Sequence, residues 1–163
     1  KDVIMTINDF VTSMVKEVEE IVKDLSFLDI REEAARMKGY PYELPVRAVQ
    51  AGWDTAEEAQ NEEELFPYFL VQVDEINYED EEAQAKVWIL FAVYDSSQEM
   101  EGWKTITTTV ERVINRFRVN PVLEDYYYCE RKMKAAYPDT GDWPHFFAGV
   151  EMTWHLPVLE PEF

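Results

Sequence analysis

The run VWILFAVY, residues 87–94, constrains the fold more than any other stretch of this chain. Eight consecutive apolar residues are too few to cross a bilayer as a helix, which takes about 20. They are apolar at both parities, so a strand built from them is covered on both faces and lies inside a sheet rather than at its edge. The rest of the chain must therefore supply strands on both sides of it and a layer above.

The first partner precedes it. In LFPYFLVQVDEI, residues 65–76, Phe69, Val71 and Val73 point one way and Tyr68, Leu70 and Gln72 the other, which is the period of a strand with Pro67 at its start. The polar link NYEDEE at 77–82 is short, so the two strands form an antiparallel hairpin. Before it, residues 8–25 place Val11, Met14, Val15, Val18, Ile21, Val22 and Leu25 at spacings of three and four, an amphipathic helix with Asn8 or Asp9 as its N-cap. After it, residues 97–118 put Met100, Trp103, Ile106, Val110, Val113, Ile114 and Phe117 on one stripe, capped by Ser96 or Ser97 and ended by Asn120-Pro121. DYYYCERKM (125–133) reads as a further strand and HFFAGVEMTWHL (145–156) as the last, with Phe146, Ala148, Val150, Met152 and Trp154 facing the core.

The order α–β–β–α–β–β predicts an α+β fold: an antiparallel sheet of about four strands with both helices packed on one face. At 163 residues this is a single domain, 1–163, with an irregular arm and acidic loop at about 39–64. GYPYELPVRAVQAGW (39–53) carries two prolines and two glycines and suits an irregular arm or a short edge strand.

Charge narrows the partners. Thirty-four acids against fifteen bases give −19, which repels phosphate and anionic membrane, so neither sequence-specific nucleic-acid binding nor membrane binding is expected. The charge is also uneven. From Asp54 to Glu82 there are twelve acids and no base, while Lys104 to Lys134 holds seven of the fifteen bases. Opposite signs on one chain suit head-to-tail contact between copies, while the alternative, that the acids serve solubility, is the one charge pattern alone favours. The single Cys129 cannot form an intrachain disulfide, and no leader-like segment opens the sequence as given, so a reducing cytoplasmic environment is expected.

No catalytic, metal or cofactor site is expected. Both histidines fall on the last strand and share a face, but ten residues at about 3.3 Å each hold His145 and His155 roughly 33 Å apart. They cannot share a metal, and their spacing matches no zinc signature. Cys129 within YYYCE reads as a small buried residue, and DEINYEDEE (74–82) lacks the glycine and closing glutamate of a calcium loop. Five scattered glycines form no phosphate cradle.

The succession FPYFLVQVDEI, AKVWILFAVYDSS, a helix, a strand and WPHFFAGVEMTWHLP resembles the tail terminator (tail completion) and related head–tail neck proteins of long-tailed phages and prophages. In that family a helix precedes a P-x-x-x-V strand, here Pro67–Val71. A long apolar strand then ends in YD, here Val87–Asp95, and an aromatic-rich closing strand follows, here Phe146–Trp154. The resemblance spans residues 8–157 and is one of pattern and topology, since the family has no invariant signature to match. It implies a non-enzymatic virion structural protein that forms a ring with itself, typically a hexamer, caps the tail tube and helps join head to tail. It further implies tail-tube and neck proteins as partners, assembly in the host bacterial cytoplasm, and residence in the virion. On that reading Glu57, Glu58, Glu62, Glu63, Glu64, Glu79, Asp80, Glu81 and Glu82 are the candidate lumen or ring-interface residues. The competing reading is an acidic DNA mimic that occupies a host DNA-binding protein.

Overall fold

The structure is a computed structural model that describes residues 6–45, 63–138 and 142–159. Its elements are α1 (Ile7–Val22), β1 (Phe27–Leu28), β2 (Ala34–Ala35), β3 (Lys38–Pro41), β4 (Tyr68–Tyr78), β5 (Glu82–Tyr94), α2 (Gly102–Val119), β6 (Val122–Leu123), β7 (Tyr127–Cys129), β8 (Lys134–Ala136) and β9 (His145–Pro157). β1 and β2 form a separate two-stranded sheet. The other strands form one sheet in the order β3-β4-β5-β9-β7-β6, with β8 also paired to β9.

This corrects the expected four-stranded antiparallel sheet. The sheet has seven strands and is mixed, because β3 runs parallel to β4, with Lys38 opposite Tyr68 and Pro41 opposite Val71. The tail-terminator-like fold expected with the four-stranded sheet is corrected with it. Two physical causes stand behind the difference. Gly39 lies under the Phe69 ring, where an added Cβ would sit 2.2 Å from Cζ, and its N–H donates to the Glu19 carboxylate of α1 at 2.8 Å. A glycine and a helix carboxylate thus seat a strand that has no alternation to advertise it. The expected strand at 125–133 shrinks to β7, Tyr127–Cys129. Glu124 (φ 57°) and Asp125 (φ 62°) are both left-handed and turn the chain from β6 into β7.

β5 occupies the centre, paired to β4 on one side and to β9 along its whole length on the other, from Glu82 opposite Pro157 to Tyr94 opposite His145. Its odd-numbered side chains Val87, Ile89, Phe91 and Val93 are buried under the helices, as are Ala148, Val150, Met152 and Trp154 of β9. Each such side chain withdrawn from water contributes about 1.5–3 kcal/mol. The helical layer meets them with Phe10, Met14, Val18 and Val22 of α1 and Ile106, Val110, Val113 and Phe117 of α2. Trp154 is wedged between Phe10 (5.3 Å) and Phe117 (5.2 Å) and joins both helices to the sheet.

Both helices begin elsewhere than expected. α1 is capped two or three residues earlier: Thr6 accepts from the Asp9 N–H at 3.1 Å and Asp9 accepts from the Thr6 N–H at 3.0 Å, a reciprocal capping box. α2 starts later, at Gly102, because residues 95–100 are held as a turn with Met100 at φ 60° and Ser97 N–H donating to Asp95. Gly102 then passes so close to Phe146 that an added Cβ would sit 2.2 Å from the ring.

Candidate functional site

The expected basic side of the chain is partly neutralised from within. Arg116 Nε donates to Glu17 at 2.8 Å and Arg112 to Asp24 at 3.0 Å, so two arginines of α2 are matched by two acids of α1. Arg131 and Lys132 between β7 and β8, and Lys134 at the start of β8, are exposed, with no carboxylate within ion-pair distance among the described residues.

The nine candidate acids do not form one patch. Glu57, Glu58 and Glu62 lie outside the described residues. Glu63 and Glu64 sit just before Phe66, where Glu64 pairs with Arg31 at 3.0 Å and Glu63 Oε1 comes within 3.2 Å of His145 Nε2 without the alignment of a hydrogen bond. Glu79, Asp80, Glu81 and Glu82 form the β4–β5 turn at the opposite end of the hairpin. Ten residues of β4 at about 3.4 Å each, roughly 34 Å, separate the two groups.

Glu82 has a specific role that its acidic neighbours hide. Its Oε2 lies 2.6 Å from His155 Nδ1, while Glu130 Oε2 lies 2.8 Å from His155 Nε2 and Tyr128 stacks on the ring at 4.4 Å and 8°. Burial works to lower the pKa of His155, but the hydrogen bonds and charges of Glu130 and Glu82 outweigh it and raise the pKa above its usual value. Both ring nitrogens then donate, and the imidazolium ties β5, β7 and β9 together. The two histidines sit at opposite ends of β9, and no cluster of metal-ligating side chains occurs among the described residues. Cys129 is buried, and burial followed by the Glu130 charge pushes its thiol up to about 12.

The aromatic surface was not legible as a site. Met100 and Trp103, expected on the buried stripe of α2, are 44% and 54% exposed. With Tyr137 (46%) and Trp143 (46%) they rim a cavity of about 390 Å³ whose floor is Ile106 and Phe146. Trp143 is fixed there by its indole N–H, which donates to the Ser97 carbonyl at 3.1 Å, and Pro144 accepts from the Asp95 N–H at 2.9 Å. Large flat side chains held by few torsions at a concave, weakly polar surface suit recognition of another apolar surface.

No helix among the described residues is long and apolar enough to cross a membrane. No family model and no curated protein matches the chain. Among solved structures, one without a descriptive name is similar over 94% of this chain and 93% of its own, at 10% identity and a TM-score of 0.44, a likeness too low to argue from.

Proposed function

We propose that this chain is a non-enzymatic structural protein that assembles with copies of itself into a ring, and that it serves a phage or prophage as a tail terminator that caps the tail tube and helps join it to the head. The observation that supports self-assembly is the aromatic rim of Met100, Trp103, Tyr137 and Trp143 around an open cavity. A chain of net charge −19 repels its own copies, and association of such chains requires an apolar contact strong enough to offset that repulsion. The phage assignment rests on the sequence pattern at Pro67–Val71, Val87–Asp95 and Phe146–Trp154. Engagement of Glu17 and Asp24 by Arg116 and Arg112 counts against a phosphate mimic, whose acids must stand free.

The test has two stages. Light scattering of the purified protein is expected to give a mass near that of a hexamer, six times 19.3 kDa or about 116 kDa, and Trp103→Ser with Trp143→Ser is expected to lower it. Micrographs of particles from a prophage lacking the gene are then expected to show tails of uncontrolled length or tails without heads. Normal tails joined to heads would overturn the terminator assignment.

A further inference from the structure

We infer that copies of this chain join edge to edge, the open distal half of β4 in one protomer receiving the β7–β8 segment of the next in an antiparallel sheet continuation. The inference rests on the self-assembly reading above and adds a second surface to the aromatic rim.

Among the described residues, β4 and β8 are open on their outer sides at the same level. β3 covers β4 only along Tyr68–Val71, and the Tyr42 N–H extends the contact with one bond to the Val71 carbonyl. From Val73 to Tyr78, β4 has β5 on one side and no strand on the other among the described residues. Across the sheet, β8 pairs with β9 at 134–136 and has no strand on its outer side among the described residues. One row of the ladder runs Gln72, Trp88, Glu151, Lys134. The segment Arg131–Met133, which loops between the β7 and β8 pairings to β9, therefore lies level with the β4 bulge at Val73–Glu75.

Strand direction permits the joint. β4 is antiparallel to β5, β5 to β9 and β9 to β8, so β8 runs antiparallel to β4. A copy set beside β4 without inversion places its β8 antiparallel to that strand, and the alternation continues from protomer to protomer.

Charge selects the partner. Asp74, Glu75 and Glu79 are exposed on the β4 side and have no cation within ion-pair distance among the described residues, and Arg131, Lys132 and Lys134 on the β8 side have no carboxylate. A bulged, charged edge discourages indiscriminate pairing, and an acidic edge accepts a basic strand while rejecting another acidic one. Between Lys104 and Lys134, Lys104, Arg112 and Arg116 are paired with carboxylates inside the protomer and Arg118 donates to the Arg131 carbonyl, which leaves the β7–β8 bases as that stretch's cations for this purpose.

The experiment uses two charge-reversed proteins, Asp74→Lys with Glu75→Lys, and Lys132→Glu with Lys134→Glu. All four positions are exposed, and unchanged melting curves verify folding. Each variant alone is expected to self-associate at least about tenfold more weakly than wild type by sedimentation, whereas an equimolar mixture recovers assembly because each supplies the edge the other lacks. Wild-type assembly is also expected to weaken in 1 M salt, where the Debye length falls to about 3 Å. Variants that assemble like wild type, or that fail to recover on mixing, overturn the edge contact. If they do so while the tryptophan variants lose assembly, self-assembly stands and only this interface falls. A wild type that remains monomeric throughout the concentration range overturns both.

Discussion

Arg116 Nε donates to Glu17 at 2.8 Å, and the same guanidinium reaches the carbonyls of Asn120 and Val122, so one side chain joins α1, the end of α2 and the start of β6. Both partners of the ion pair are about three-quarters covered, at 24% and 28% exposure, which places the pair between a surface bridge and a buried one. Its forked geometry is what allows one cation to serve a carboxylate and two carbonyls at once.

Arg116→Met is therefore expected to destabilise the fold by about 1–3 kcal/mol, and Arg116→Lys to recover less than half of that, because an ammonium cannot span the three acceptors. Denaturant titration with an unchanged m-value checks it.

His155 makes stability depend on pH in a stated direction. Its folded pKa is raised, so its contribution is fully present below the unfolded value of about 6.5 and is lost as pH rises through the folded value. Melting temperature is expected to decline as pH rises above about 6.5 in wild type, and this decline is expected to be absent in His155→Phe. An identical decline in both proteins would assign it to another group.

Cys129 should be inert while the protein is folded. With its thiol pushed from 9.0 up to about 12, the thiolate fraction at pH 8 is roughly a thousandfold below that of a free cysteine. A thiol-reactive dye is expected to label it only as the chain unfolds, and fast labelling of native protein would contradict the burial seen here.

Gly102→Ala, a change that favours most helices by about 1 kcal/mol, is expected here to cost about 1–3 kcal/mol, since the added methyl would meet the Phe146 ring. Combining it with Phe146→Leu should relieve most of that loss, and thermal melts of the single and double variants decide the matter.

Legible from residue order were the elements whose side-chain period is long enough to read: the two-faced run that became β5, the alternation of Phe146 to Trp154 in β9, and the stripe from Met14 to Val22 in α1. Periods of two and 3.6 are local properties of a strand and a helix, so a segment of ten or more residues carries them regardless of what it packs against. Long-range packing settled the parallel docking of β3, where Gly39 fits beneath a ring, and the tight turn through left-handed Glu124 and Asp125 that leaves only Tyr127–Cys129 of 125–133 as a strand. It likewise decided the meeting of His155 with Glu82, 73 residues away, and with Glu130, 25 residues away. Exposure of Trp103 belongs to the same class: the period placed it on the helix stripe, but in the first turn of α2 it is Gly102 that packs on the sheet, against Phe146, and Trp103 stays exposed. Which of many acids meets the one histidine, and which side chain at the end of a stripe stays bare, depends on residues distant in the chain, and no local pattern records them.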